Sequence, residues 1–409
     1  MHIAILPSVV PFRRWRAALG VMLALGGAVS GLRAQADVTI TGEPASQTVL
    51  PGGTCVFAIT AASSAPLTYQ WSFAGAALSG ATSSRLVVTN ASAANAGDYT
   101  CVVANTAGGS ATSWAATLTV AASSDPGRIT NLSVLTNIVP SGAVTVGFTT
   151  GGAGTSGSQT LLLRAIGPSL AAFGLSPVVS DPTLTIIEQD NKAQVAANDN
   201  WGTNAAQVTA ADTATGAFTL SSATSLDAAL VATLPSAPHL YTAQVAANGG
   251  GSGAVLAEFY DDSGAYAATS PRLINISALA NVAPGSSLSA GFVLSGNTAK
   301  TVLIRAVGPS LGALGVGGLM ADPKLTLFQS QGGNTPVAVA SNIGWGGDPQ
   351  LAAAAANVGA FALGAGSVDS VILITLLPQS PGGMFNYSAQ AASASGGGGN
   401  VLIEVYEVP

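Results

Sequence analysis

From residue 128 onward the chain is written twice. RITNLS at 128 returns as RLINIS at 272, RAIGPSL at 164 as RAVGPSL at 305, and SDPTLTI at 180 as ADPKLTL at 321. YTAQVAA at 241 returns as YSAQAAS at 387, and VLAEFYD at 255 as VLIEVYE at 401. The order is kept and the offset stays between 141 and 146 residues. That period is far above the roughly 20–50 residues of a solenoid unit, so each copy is expected to be a complete domain with its own core. Within a copy, alternating or short apolar runs such as AVTVGFTT, TLLLRAI and DAALVATLP are separated by Gly, Pro, Asp and Asn. This pattern predicts roughly seven to nine short strands and a β-sandwich. Gly-Pro-Ser-Leu after each arginine run predicts a helical turn stopped by Gly174 or Gly315. DPQLAAAAANVG predicts a helix with Asp348 as N-cap and Gly359 at its end.

The chain is poor in charge: Asp, Glu, Lys and Arg make up 7% of its residues, against about 25% in an ordinary soluble domain. The mean hydropathy of +0.49 is high, yet the one long apolar stretch is Ala17–Leu32 near the N-terminus. Arg13, Arg14 and Arg16 before it and Ala34-Gln35-Ala36 after it have the layout of a secretory signal, with cleavage expected after Ala36 or, second, after Ala34. Retained, the same segment would anchor the chain. Residues 1–36 hold four of the 12 basic residues and none of the 18 acidic ones, so the mature chain carries −10. That charge argues against nucleic acid or an anionic membrane as partner.

Residues 37–122 contain both cysteines. Cys55 lies in TCVFAIT and Cys101 in DYTCVVAN, with Trp71 between them and Tyr99 two positions before the second cysteine. This arrangement resembles an immunoglobulin domain. The resemblance implies a Cys55–Cys101 bridge between two sheets, Trp71 packed on the sulfurs, and Tyr99 anchoring a strand corner. An exported chain can oxidise such a pair, and the closed loop would add roughly 4 kcal/mol. Asn95 stands where that family usually has an acid, which puts its customary ion pair with an arginine such as Arg85 in doubt. The two copies, through Arg-Ala-(Ile/Val)-Gly-Pro-Ser-Leu and the terminal Glu-x-Tyr strand, resemble C-terminal β-sandwich repeats found beside immunoglobulin-like modules in large secreted proteins of environmental Gram-negative bacteria. That resemblance implies a class and a location and brings no catalytic residues.

The charges that recur are few: Arg128 with Arg272, Arg164 with Arg305, Asp181 with Asp322, Asp227 with Asp369, Glu258 with Glu404, and Asp261 with Glu407. A guanidinium inside an apolar run is costly unless paired. Structural ion pairs are therefore expected, Arg164 with Glu258 or Asp181 and Arg305 with Glu404 or Asp322. The alternative makes each arginine an anchor for a ligand such as a sugar acid.

Catalytic groups are scarce. His239 is the one histidine after the leader, and no H-E-x-x-H or G-x-S-x-G occurs. Asp199 in AANDNWG suits a calcium turn and Trp201 a sugar-stacking platform, but the second copy keeps only the tryptophan, Trp345. Asn131-Leu-Ser and Asn275-Ile-Ser match glycosylation acceptors at equivalent positions. The sequence thus predicts an all-β protein: a signal over 1–36, an immunoglobulin-like sandwich over 37–122, and two tandem jelly-roll-like β-sandwiches over 123–268 and 269–409. It predicts no catalysis, cofactor or metal, and an adhesion, matrix or scaffold role with extracellular polysaccharide or other surface proteins as partners. Alternative readings are a polysaccharide-binding module, through Trp201 and Trp345, and an accessory region of a carbohydrate-active enzyme.

Overall fold

The computed structural model describes residues 37–237, 239–264, 266–267, 269–330, 335–377 and 385–409; the expected signal segment lies outside the described residues. The chain is all-β, an immunoglobulin-like sandwich followed by two β-sandwiches. In the first, the strand Cys55–Ala58 pairs with Arg85–Val88 in one sheet. Leu67–Phe73 pairs with Gly97–Asn105 in the other, with Trp71 directly opposite Cys101. Cys55, Phe57, Trp71, Tyr99 and Cys101 fill the space between.

Among the described residues each repeat has eight strands. In the first copy they are β1 (Arg128–Ile138), β2 (Ala143–Gly151), β3 (Ser158–Ile166), β4 (Pro182–Glu188), β5 (Gln194–Asn198), β6 (Ala228–Pro235), β7 (Tyr241–Ala247) and β8 (Gly253–Asp261). In the second they are β9 (Arg272–Val282), β10 (Ser287–Ser295), β11 (Lys300–Val307), β12 (Pro323–Ser330), β13 (Val337–Ile343), β14 (Ser370–Leu376), β15 (Phe385–Ser393) and β16 (Gly399–Val408). The helices α1 (Ala205–Thr215) and α2 (Pro349–Asn357) occupy equivalent places. The neighbours run β1-β8-β3-β6 in one layer and β2-β7-β4-β5 in the other. That order is a jelly roll, and the second copy repeats it as β9-β16-β11-β14 and β10-β15-β12-β13.

A lone jelly roll of this kind leaves β1 and β2 as open edges on one side, and open edges invite further pairing. Here each copy closes the other. β1 pairs antiparallel with β10, Leu132 opposite Phe292, and β2 pairs antiparallel with β9, Phe148 opposite Ile276. The result is two layers of eight strands, each half from one copy and half from the other, related by an approximate two-fold axis. One apolar core runs through both halves, from Leu163, Ile186 and Phe259 to Phe292, Leu325 and Val405. The expectation of a separate core for each copy is therefore corrected. The alternating pattern of β1 and β9 fits a partner from the other copy as well as one from its own.

The immunoglobulin domain precedes the first copy in sequence but rests on the second. Val56 points away from its own core and packs, with Val87, against Leu303, Leu351 and Leu373. Its N–H donates to Thr375 Oγ1 at 2.7 Å, and Thr301 Oγ1 donates to Thr54 O. Arg85, with Asn95 in place of the customary acid of its own domain, pairs instead with Asp348 at the start of α2. The equivalent hydroxyl pair of the first copy, Thr160 and Thr233, is exposed.

Candidate functional site

The run around Arg164 is apolar throughout because both faces of β3 are covered. Leu161, Leu163 and Ala165 face the shared core, whereas Leu162 and Ile166 face a second layer made by α1, Trp201 and Leu220. Arg164 shares the parity of that outer set, so its guanidinium lies between sheet and helix layer with 1% of the residue exposed. Its neighbour in the ladder is Glu258 on β8. Nε and Nη2 donate to Glu258 Oε2 at 2.9 and 2.5 Å, and Nη1 donates to Asp212 Oδ1 at 2.9 Å and to Phe218 O at 2.7 Å. The ring of Phe218 lies 4.4 Å from the guanidinium carbon, and Tyr260 donates its hydroxyl to Glu258 Oε1. Burial works against the charge on Arg164, but Glu258, Tyr260 and Asp212 outweigh it and the pKa rises. Asp212 is also pushed up, because its burial outweighs the attraction of Arg164.

The second copy repeats most of this. Arg305 on β11 faces Glu404 on β16. Nε donates to Glu404 Oε2 at 2.7 Å and Nη1 to Phe361 O at 2.6 Å, while Tyr406 donates to Glu404 Oε1. Asp181 and Asp322, the other carboxylates expected for these arginines, are elsewhere. Asp181 accepts from Asn248 Nδ2, and Asp322 caps the turn at Ser393 and Ser395. Both precede the strand that enters the opposite layer, which takes them away from the guanidinium.

The rest of the motif has its own acid. Asp227, fully buried, accepts from Gly167 N, Ser169 N, Ser169 Oγ and Ser225 Oγ. Asp369 does the same for Gly308, Ser310 and Ser367. Only glycine fits at the turn: a Cβ on Gly167 would stand 2.0 Å from Val179 O, and one on Gly308 2.2 Å from Met320 O. Asp227 and Asp369 were visible as recurring charges, and the recurring Ser-x-Asp at 225 and 367 was the signal for this cap.

The expected stacking platforms are absent from the surface. Trp201 and Trp345 are 4% and 8% exposed, and their indole N–H groups donate to Ser222 O and Ser225 Oγ, and to Gly364 O and Ser367 Oγ. The tryptophans close the outer layer, so their candidacy as ligand-stacking residues is corrected. Asp199 is exposed at the end of β5. Asn131 and Asn275 donate their side-chain amides to Phe259 O and Val405 O within the joined sheets.

Arg128 pairs with Asp125 and lies over Tyr266. Its counterpart Arg272 bonds Glu407, which Lys300 also reaches at 3.0 Å. Asp261, the match of Glu407, accepts from Ser263 N instead. His239 stands between Glu188 and Asp190, with Nδ1 at 2.7 and 2.9 Å from their oxygens. Among the described residues this is the one group of three His, Cys, Asp or Glu side chains with ligand atoms within metal-binding reach. His239 lies 49 residues beyond Asp190 in the sequence, which hid the group from motif reading.

In the immunoglobulin segment Tyr99 donates to Asn95 O at 2.8 Å, closing the corner. Cys55 and Cys101 are buried thiols, not a disulfide, in this structure. Burial pushes the Cys55 thiol up to about 12 and the Cys101 thiol up to about 11, so neither offers a thiolate nucleophile.

A family model described as an immunoglobulin domain matches residues 39–105. No curated protein matches the sequence. Among solved structures, the chain resembles the tandem Ig repeats of Dlar (20% identity, TM-score 0.20), covering 21% of this chain and 49% of that one. Titin domain M7 matches at 24% identity and TM-score 0.20 over 21% of this chain and 96% of that one. The N-terminal four Ig domains of Dscam1 isoform 7.44 match at 28% identity and TM-score 0.18 over 21% of each. The chain thus spans about half or less of the length of two of these three relatives. Residues 39–105 form an immunoglobulin-like domain.

Removing one partner of a buried ion pair costs on the order of 3–5 kcal/mol. Arg164→Ala leaves two carboxylates unpaired and Arg305→Ala one, so both variants should lose stability on that scale, the first at least as much as the second. Arg→Lys should recover only part, because an ammonium lacks the two-pronged geometry. Urea melts measure this, and a loss below about 1 kcal/mol in both alanine variants would contradict a structural role.

Proposed function

We propose that this is an exported, non-catalytic modular protein of the cell surface or matrix that works as a scaffold or adhesive element through protein contacts. One observation carries the reading. Arg164, Arg305, Asp227, Asp369, Glu258 and Glu404 and both repeated tryptophans are buried beneath the surface in internal contacts, so the repeats do not display these retained groups to a polymeric substrate. Such duplicated groups serve the frame, and the surface is left to vary. The immunoglobulin domain shows Trp114, 76% exposed, as a contact residue of the kind that interfaces favour. Among the described residues no helix is long and apolar enough to cross a membrane.

The polysaccharide reading rested on Trp201 and Trp345. A glycan array with the mature protein should retain no glycan through them. Binding that is lost on substituting either tryptophan, in a variant that still melts cooperatively, would overturn the scaffold reading.

Export also bears on the cysteines. Cys101 lies opposite Trp71 in the ladder, Cys55 is in the facing sheet, and both sulfurs share one core. We propose that they oxidise to one bridge outside the cytoplasm. Mass spectrometry of exported, unreduced protein should find no free thiol. Two alkylatable cysteines after unfolding would contradict the bridge.

A further inference from the structure

The geometry points to a pocket in the second copy that binds a small aliphatic monocarboxylate, such as acetate or propionate, on Arg305. From the helix to the loop after it, the outer layers of the two copies match at an offset of 143 residues: Val208 with Leu351, Phe218 with Phe361, and Asp212 with Ala355. In the first copy Asp212 delivers a carboxylate to Arg164 Nη1. In the second copy Ala355 delivers nothing. Arg305 Nη2 stays in the ion pair with Glu404 Oε2 at 2.5 Å, but Nη1, which in Arg164 has two acceptors, keeps only its bond to Phe361 O. The residue is 0% exposed. A buried donor left unpaired is costly, and a guanidinium is built to hold a carboxylate.

The missing side chain leaves room. A cavity of about 100 Å³ is lined by Arg305, Trp345, Leu351, Ala355 and Leu363. That is several times the space one water needs. Its walls are alanine, leucine and indole, which suit a methyl or ethyl group, and its charged member suits a carboxylate. Arg305 and Glu404 alone form a neutral pair. A bound carboxylate would restore the one-arginine, two-carboxylate set that the first copy carries in its own chain.

The test uses the mature chain in thermal melts at pH 7 and constant ionic strength, with sodium acetate or propionate replacing sodium sulfate or chloride. Binding to the folded state alone should raise the midpoint by about 1–2 °C at roughly four times the dissociation constant. Ala355→Asp supplies the carboxylate internally and should abolish the response. Ala355→Val fills the cavity without charge and should abolish it too, which keeps the test decisive if the aspartate variant folds poorly. A response to chloride or sulfate equal to that of acetate would overturn the proposal. So would a flat titration in the unmodified chain, or an undiminished acetate response in the valine variant.

Discussion

The structure depends on the closing of two edges. A jelly roll whose first and second strands both lie on one side exposes two ladders of unpaired backbone there. Duplication solves this when the copies meet edge to edge: β1 takes β10, and β9 takes β2. The approximate two-fold axis, the eight-stranded layers and the single core all follow from that pairing. The retention of RITNLS and RLINIS follows as well, because those strands carry the joint. The immunoglobulin domain then settles on the outer face of the second copy, where Arg85 finds Asp348.

The outer layers show how one frame diverges. Arg164 and Arg305 hold the same cross-strand glutamate, the same backbone carbonyl and the same phenylalanine ring. The difference is one position, Asp212 against Ala355. In the first copy the second carboxylate is built in at the cost of its burial. In the second copy the helix carries a run of five alanines, Ala352 to Ala356, and the site stays open. A duplicated core can tolerate such a change because the glutamate already balances the guanidinium.

Much of this was written in local patterns. The strand count, the arginine runs, the glycine-stopped turns, the Asp348 cap and the Cys–Trp–Tyr set are all short-range features. The partner of Arg164 was narrowed to two acids, and chain direction chose between them: Glu258 runs beside it on β8, whereas Asp181 leads into the other layer. What the sequence hid was long-range. Alternation in β1 reads the same whether its partner is β8 or β10. The outer covering of β3 looks like core, so Trp201 could be read as buried or displayed. Asp212 had no counterpart to draw notice, and nothing local to TCVFAIT marks Val56 for cover by another domain.

Amide hydrogen exchange on Arg164→Ala tests the shared frame most directly. The substitution lies wholly in the first copy. If one core and two common layers join the copies, the most protected amides of Lys300–Val307 and Gly399–Val408 in the second copy should lose protection together with those of Ser158–Ile166. Opening confined to the first copy, with the second copy's protection unchanged, would contradict the account.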